Sequence, residues 1–294
     1  MKKIILCLLL FNGFAVEAQL DRVEPPNWWV GFKNSRLQLM VKGKDIADMA
    51  PEIVYPGVTV TGVHKGSSPN YLFIDLNIRP ETEPGTFDIV LNSGKRKKIK
   101  QPYTLKKRLK SGEQFYGFDS SDVIYLITPD RFANGNPEND VVKGLKEAKT
   151  DRADDYARHG GDIKGITDHL PYISDMGFTA IWPCPLLTND MYKSSYHGYA
   201  ITDLYDIDPR FGTLEEYTEL SSKANEVGVK LIMDQVANHC GIEHWWMKDL
   251  PFEDWVNDQA SYEAGRKPMY SNHRRTTNQD IYAAKIDAIG MSNG

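Results

Sequence analysis

The apolar positions follow two rhythms along the chain. Up to about residue 108 they come in short runs rich in β-branched and aromatic side chains, at 37–41, 58–60, 71–76 and 87–91. Pro56-Gly57, Ser68-Pro69-Asn70 and Pro84-Gly85 lie between the runs. Short strands at even spacing with turn residues between them predict a small all-β sandwich of the immunoglobulin-like kind. The basic stretch 95–110 is expected to cover an edge strand and the exit from this domain.

After Gly117 the rhythm changes. Residues 123–127 are a continuous apolar run, as in a strand buried on both faces. A helix follows with Ile163, Ile166, Leu170, Ile173 and Met176 on one face and Gly177 at its end; Pro171 is expected to bend it without ending it. Residues 178–182 form a second apolar run. Thr213 and Glu216 then have the spacing of a capping box, ahead of a helix whose apolar face is Leu214, Tyr217, Leu220, Ala224 and Val227 and whose stop is Gly228. A third strand is expected at 229–234. Strand–helix alternation predicts a parallel sheet with right-handed crossovers. Three such strands would leave apolar faces uncovered, so the chain is expected to be an unfinished α/β fold.

The 294 residues suffice for two domains, and a net charge of -5 argues against a nucleic-acid partner. Aromatic residues make up 11% of the chain, which suits stacking on the apolar faces of sugar rings, although any one ring alone reads more simply as core. At the start, Lys2 and Lys3, the apolar run 4–14 and Val16-Glu17-Ala18 predict a signal peptide over 1–18, cleaved after Ala18, and export. That run is too short to span a membrane. Cys7 lies inside it, too early for a comfortable lipid-anchor site. The remaining Cys184 and Cys240 are expected to be two free, buried thiols.

Three polar clusters fall at strand ends, where parallel α/β barrels place their chemistry. The first, 130–140, packs Asn134, Asn136, Asn139 and Asp140 into one Gly/Pro turn, with Gly160 and Asp162 further on. These oxygens could surround a calcium ion, or simply cap a turn without metal. The second holds His197 and Tyr199, which can bond and stack on a sugar or serve an ordinary loop. The third is Asp234-Gln235-Val236-Ala237-Asn238-His239. A carboxylate near the end of a buried strand needs a partner, and Arg131 is the expected one for Asp234.

The third cluster fits the D-x-V-x-N-H signature of the α-amylase family. His197-Gly198-Tyr199 and Phe211-Gly212-Thr213 resemble the loop before it, Gly165-Ile166 through Trp182 its first helix and second strand, and Asp130-Arg131-Phe132 the end of its first strand. Trp28-Trp29-Val30-Gly31-Phe32, Leu37-Gln38-Leu39-Met40 and Tyr55-Pro56-Gly57-Val58 resemble the N-terminal sandwich of the neopullulanase and cyclomaltodextrinase group. The resemblance implies a sandwich over 19–112, the first three β/α units of a TIM (β/α)8 barrel over 113–239, and part of the insertion after barrel strand 3 over 240–294. It implies retaining hydrolysis of α-glucans such as pullulan, cyclodextrins or maltooligosaccharides, with a carboxylate nucleophile and a carboxylic acid. Tyr199 would stack on the sugar, His197 and His239 would bond its hydroxyls, and Asp234, Asn238 and Arg131 would brace the site from behind. It also implies structural calcium at Asn134, Asn136, Asn139, Asp140, Gly160 and Asp162. Asn136 stands where the group often has Asp, which removes one charge from the ion's shell.

No segment matches the family's catalytic carboxylates, so the chain is expected to stop before them and to hydrolyse nothing by itself. Asp249, Glu253 and Asp254 match no catalytic motif, and Trp245, Trp246, Trp255 and Tyr262 suit a loop-rich lobe lining the cleft. The sandwich is expected either to bind glucan or to form a homodimer, and the periplasm is the expected compartment. Competing readings are a non-catalytic α-glucan-binding protein on the same scaffold, a subunit of a membrane transporter, and a transglycosylase.

Overall fold

In the computed structural model, residues 20–94, 98–108 and 117–257 are described. The expected signal peptide, Tyr262 and most of the predicted insertion lie outside these residues. The chain divides into two compact units, Met1–Asp249 and Leu250–Gly294. In the second, the rings of Phe252 and Trp255 stack 6.1 Å apart.

The first unit begins with β1 (Arg22–Glu24), β2 (Trp28–Trp29), β3 (Arg36–Lys42), β4 (Ala50–Ile53), β5 (Val58–Lys65), β6 (Tyr71–Ile78), β7 (Gly85–Asn92) and β8 (Lys98–Lys106). They form two four-stranded sheets, ordered β1-β3-β6-β5 and β2-β8-β7-β4. Alternation decides which side faces in. Leu37, Leu39 and Val41 of β3 are buried while Arg36 and Gln38 are exposed, and Phe87, Ile89 and Leu91 of β7 repeat the pattern. These side chains meet Leu72, Ile74 and Leu76 of β6 and Ile99, Tyr103 and Leu105 of β8 in one core. The two sheets therefore pack as a sandwich. The expectation that the basic stretch covers an edge is corrected: β8 lies inside its sheet, antiparallel to β7 and parallel to β2. Its lysines alternate with buried Ile99, Tyr103 and Leu105, so the charges line the solvent face of an interior strand.

The remainder of the unit is strand–helix alternation: β9 (Ile124–Ile127), α1 (Pro129–Phe132), α2 (Ile163–Asp168), α3 (Leu170–Asp175), β10 (Ala180–Pro183), α4 (Leu214–Glu226) and β11 (Lys230–Leu231). The three strands form a parallel sheet with β10 in the middle. Ile127, Ile181, Ile163, Ile166, Ile173, Leu220 and Ala224 form the core between this sheet and its helices.

Five expectations need correcting here. The helix predicted around Pro171 is two helices: His169 leaves helical geometry, and Pro171 falls in the first turn of α3, where its missing N–H leaves no hydrogen bond unmade. Met176 is 56% exposed because it caps the end of α3, past the buried face. Leu214, at the first position of α4, is exposed for the same reason at the other end. Finally, β9 is not buried on both faces. Leu126 and its register partner Trp182 are 56% and 39% exposed, on the side away from the helices. The third strand is also shorter than expected, although the amide of Ile232 still donates to the Ile181 carbonyl.

Candidate functional site

The second and third polar clusters converge at the C-terminal end of the parallel sheet. The Tyr199 hydroxyl donates to Asp234 Oδ2 at 2.9 Å, and Trp182 Nε1 donates to the same oxygen at 3.0 Å. The expected pairing of Asp234 with Arg131 is therefore corrected. Two neutral donors, Trp182 from β10 and Tyr199 from the loop that follows, satisfy the carboxylate, while Arg131 bonds Asp130 at 2.9 Å and lies 4.0 Å over the Tyr196 ring. Burial, reinforced by the bond to Asp234, raises the Tyr199 hydroxyl above its ordinary range, so it stays protonated as a donor.

The turn that presents Tyr199 depends on Gly198. Its φ is +80°, and an added Cβ would lie 2.0 Å from the Pro185 carbonyl oxygen. The turn brings His197 and Tyr199 into a stack with ring centroids 6.1 Å apart. The Tyr199 amide donates to His197 Nδ1 at 2.9 Å. Burial lowers the imidazole's pKa, with nearby Glu147 opposing, so the ring is neutral at pH 7. With Nδ1 accepting, the proton sits on Nε2, and His197 can offer a donor to a ligand.

His239 is arranged differently. Its Nε2 faces the Tyr199 carbonyl at 3.1 Å and its Nδ1 faces Asn238 Nδ2 at 3.1 Å. The carbonyl can only accept, so Nε2 carries the proton and Nδ1 accepts from the amide. Both nitrogens are used within the protein, and in this arrangement the ring braces Tyr199.

The first cluster is a half-buried turn packed against the start of α2. Asp162 caps α2, accepting from the amides of Gly135, Asn136 and Gly165 at 3.0, 2.8 and 2.6 Å. Asn136 caps the next turn through the Glu138 amide. Asn134 Nδ2 donates to Asp140 Oδ1 at 2.7 Å. At Gly160 (φ +89°) an added Cβ would crowd that pair, 2.6 Å from Asp140 Oδ1. The Oδ1 atoms of Asn134 and Asn139 are buried without a hydrogen-bond partner. Such orphaned oxygens are costly and fit a hard cation, for which Asn134, Asn139 and Asp140 are the available donors. Asp162 and Asn136 are already engaged with backbone amides.

Sequence reasoning missed a buried ionic layer below the loops. Arg210, fully buried, bonds Asp208 at 2.9 and 2.7 Å and the Asn189 carbonyl at 2.8 Å. Burial alone would raise the Asp208 pKa, but Arg210 overcomes it and the net shift is downward. Arg158, equally buried, lies 4.7 Å over Phe211 and reaches Ser195 Oγ at 3.4 Å, while the Ser195 amide donates to Glu147. Only the Asp208-Pro209-Arg210 spacing was visible in the sequence; the other partners come from distant segments. Cys184 is buried with Sγ 3.9 Å from the Tyr199 hydroxyl, and Cys240 is half-buried; both are free thiols. Among the described residues no helix is long and apolar enough to cross a membrane.

Comparison with known proteins places these features. Residues 126–282 match the alpha amylase catalytic domain, and residues 22–109 match the cyclomaltodextrinase N-terminal domain. Neopullulanase 2 of Thermoactinomyces vulgaris is 37% identical over 176 residues, covering 57% of this chain and 28% of that protein. A cyclomaltodextrinase of Thermoanaerobacter pseudethanolicus is 35% identical over 145 residues, covering 47% and 24%. Among solved structures, an Anoxybacillus α-amylase is 45% identical over 44% of this chain and 26% of its own, with a TM-score of 0.39. The chain thus spans about a quarter of the length of these relatives. With an N-terminal domain of the cyclomaltodextrinase type and a match to the catalytic domain over more than half its length, the chain belongs to the α-amylase family.

Proposed function

We propose that these residues form the sugar-holding part of an enzyme that hydrolyses α-glucans by a retaining mechanism. In this reading β9, β10 and β11 are the first three strands of a (β/α)8 barrel. The exposed apolar face carrying Leu126 and Trp182 is the barrel's interior, and 240–294 begins the insertion after the third strand. The observation that carries the reading is the convergence of Tyr199, His197 and Asp234 at the strand ends.

The Tyr199 ring, held through its hydroxyl and its backbone, offers a face to stack on a glucose unit. The Nε2–H of His197 donates to a sugar hydroxyl. His239 and Asn238 keep Tyr199 in place, and Asp234 holds the far end of its ring. The carboxylates that break the bond match nothing in these 294 residues, so the chain by itself binds glucan without cleaving it. A calcium ion, held by Asn134, Asn139 and Asp140, would supply charge neutralisation and stiffness to the turn at the start of α2.

Titration calorimetry of the purified 294-residue chain with maltotetraose, paired with reducing-sugar assays on pullulan and β-cyclodextrin, tests the proposal. Saturable binding that disappears in Tyr199→Ala, with no sugar released, is expected. Binding that survives Tyr199→Ala would overturn the site, and released sugar would overturn the inactive reading.

A further inference from the structure

The site is built from two loops, one carrying Tyr199 and the other His239, and neither belongs to a regular element. They are tied to each other: besides the bond from His239 to the Tyr199 carbonyl, the Gly241 amide donates to the Ile201 carbonyl at 2.7 Å. Both are also tied to the sandwich, and one residue makes both ties. Arg22 of β1 donates to Asp203 Oδ2 at 2.6 Å, on the Tyr199 loop. The same guanidinium lies 5.0 Å from the ring centre of Trp245, on the His239 loop. Lys42 approaches that indole at 4.7 Å, and Tyr71 stacks on it at 6.3 Å with an interplanar angle of 10°. The Tyr71 hydroxyl fixes the loop's far end through the Asp249 carbonyl at 2.6 Å.

We infer that Arg22 is a positioning residue for the sugar site, through which the N-terminal sandwich holds the Tyr199 and His239 loops in their binding arrangement. Arg22 acts by preorganisation. A loop fixed before the ligand arrives loses less conformational entropy on binding than one that must be ordered by it. A partly buried ion pair and a cation–π contact from one planar group give that restraint a defined geometry. The sandwich is thus more than an appended module: its first strand and the faces of β3 and β6 shape the cleft. The inference rests on the sugar-binding reading for its consequence, but not for its geometry.

Hydrogen exchange on the 294-residue chain, read for peptides over 197–205 and 239–249, separates the two. Arg22→Ala should speed exchange in both peptides and weaken maltotetraose binding by about tenfold, while peptides from β3 and β6 keep wild-type protection. Asp203→Asn should release only the first peptide and Trp245→Ala only the second, and these variants decide the matter if Arg22→Ala does not fold. Arg22→Lys, which keeps the charge opposite Asp203, should restore protection to 197–205. Unchanged exchange in both loops, or equal loss across the sandwich strands, would overturn the inference. If the wild-type chain binds no maltotetraose, the sugar reading fails, and the exchange pattern still decides whether Arg22 holds the loops.

Discussion

Asp234 shows how a residue's chemistry can be legible while its partner is not. A carboxylate at a strand end requires donors, and the sequence offered Arg131 as the conspicuous cation. The sheet register decided otherwise, because Trp182 and Tyr199 reach Asp234 from β10 and the following loop. The Asn-rich turn shows the same limit. Six oxygen-bearing positions were readable from spacing, but only tertiary packing separates Asp162, spent on three amides, from Asn134 and Asn139, whose oxygens are orphaned. From this follows a prediction for metal binding. Adding calcium at about a hundred times its dissociation constant should stabilise the chain by about 2.7 kcal/mol, seen as a rise in Tm. Asn134→Leu and Asn139→Leu should abolish that rise. Asp162→Ala should lower Tm with or without calcium, because it uncaps α2. A rise in Tm that persists in both asparagine variants would remove the ion from this turn.

Among the elements, α4 was the most legible. Thr213 Oγ1 accepts from the Glu216 amide at 3.2 Å and Glu216 Oε2 accepts from the Thr213 amide at 2.8 Å, as the spacing required. Gly228, at φ +75°, follows its end. Capping is local chemistry, and local chemistry is written in consecutive residues. Thr213→Ala should cost about 1 kcal/mol, and Thr213→Ser much less. Urea denaturation measures both, and equal midpoints for Thr213→Ala and wild type would show that the cap contributes nothing. The break at His169 was harder to read. The apolar spacing runs on through it, since Ile163, Ile166, Leu170 and Ile173 are all buried, so periodicity alone describes one helix where the backbone makes two.

At the scale of the molecule, the junction between sandwich and loops brings together groups with opposite pH preferences. Burial, opposed by Arg22, raises the Glu24 carboxyl from an ordinary 4.5 to about 7. Burial lowers the His244 imidazole from 6.5 to about 4. Glu24 holds a proton in the folded state that the unfolded chain gives up, so its stabilising share is complete below about pH 4.5 and is lost as pH rises through 7. The depressed pKa of His244 acts the other way: its share is present above 6.5 and is lost as pH falls toward 4. Glu24→Gln keeps the shape and removes the first titration. It should therefore raise Tm relative to wild type at pH 8, with the difference shrinking toward pH 5. Thermal melts at the two pH values test this, and a difference that does not change with pH would exclude Glu24 as its source.

The sequence by itself determined the change from strands to strand–helix alternation, the helix α4 and the family, but not the short strands β1, β2 and β4 or the break at His169. Strand alternation, helix periodicity, caps and turn glycines act over a few residues, and D-x-V-x-N-H is a contiguous motif. It also determined which residue types gather at the strand ends. Tertiary structure alone decided who partners whom: Asp234 with Tyr199 and Trp182, Arg210 with Asp208 and the Asn189 carbonyl, and Arg22 with both site loops. The reason is physical. The cost of burying a polar group or an ion is settled by whichever donor or acceptor the packed chain brings within about 3 Å, and that neighbour can lie anywhere along the sequence.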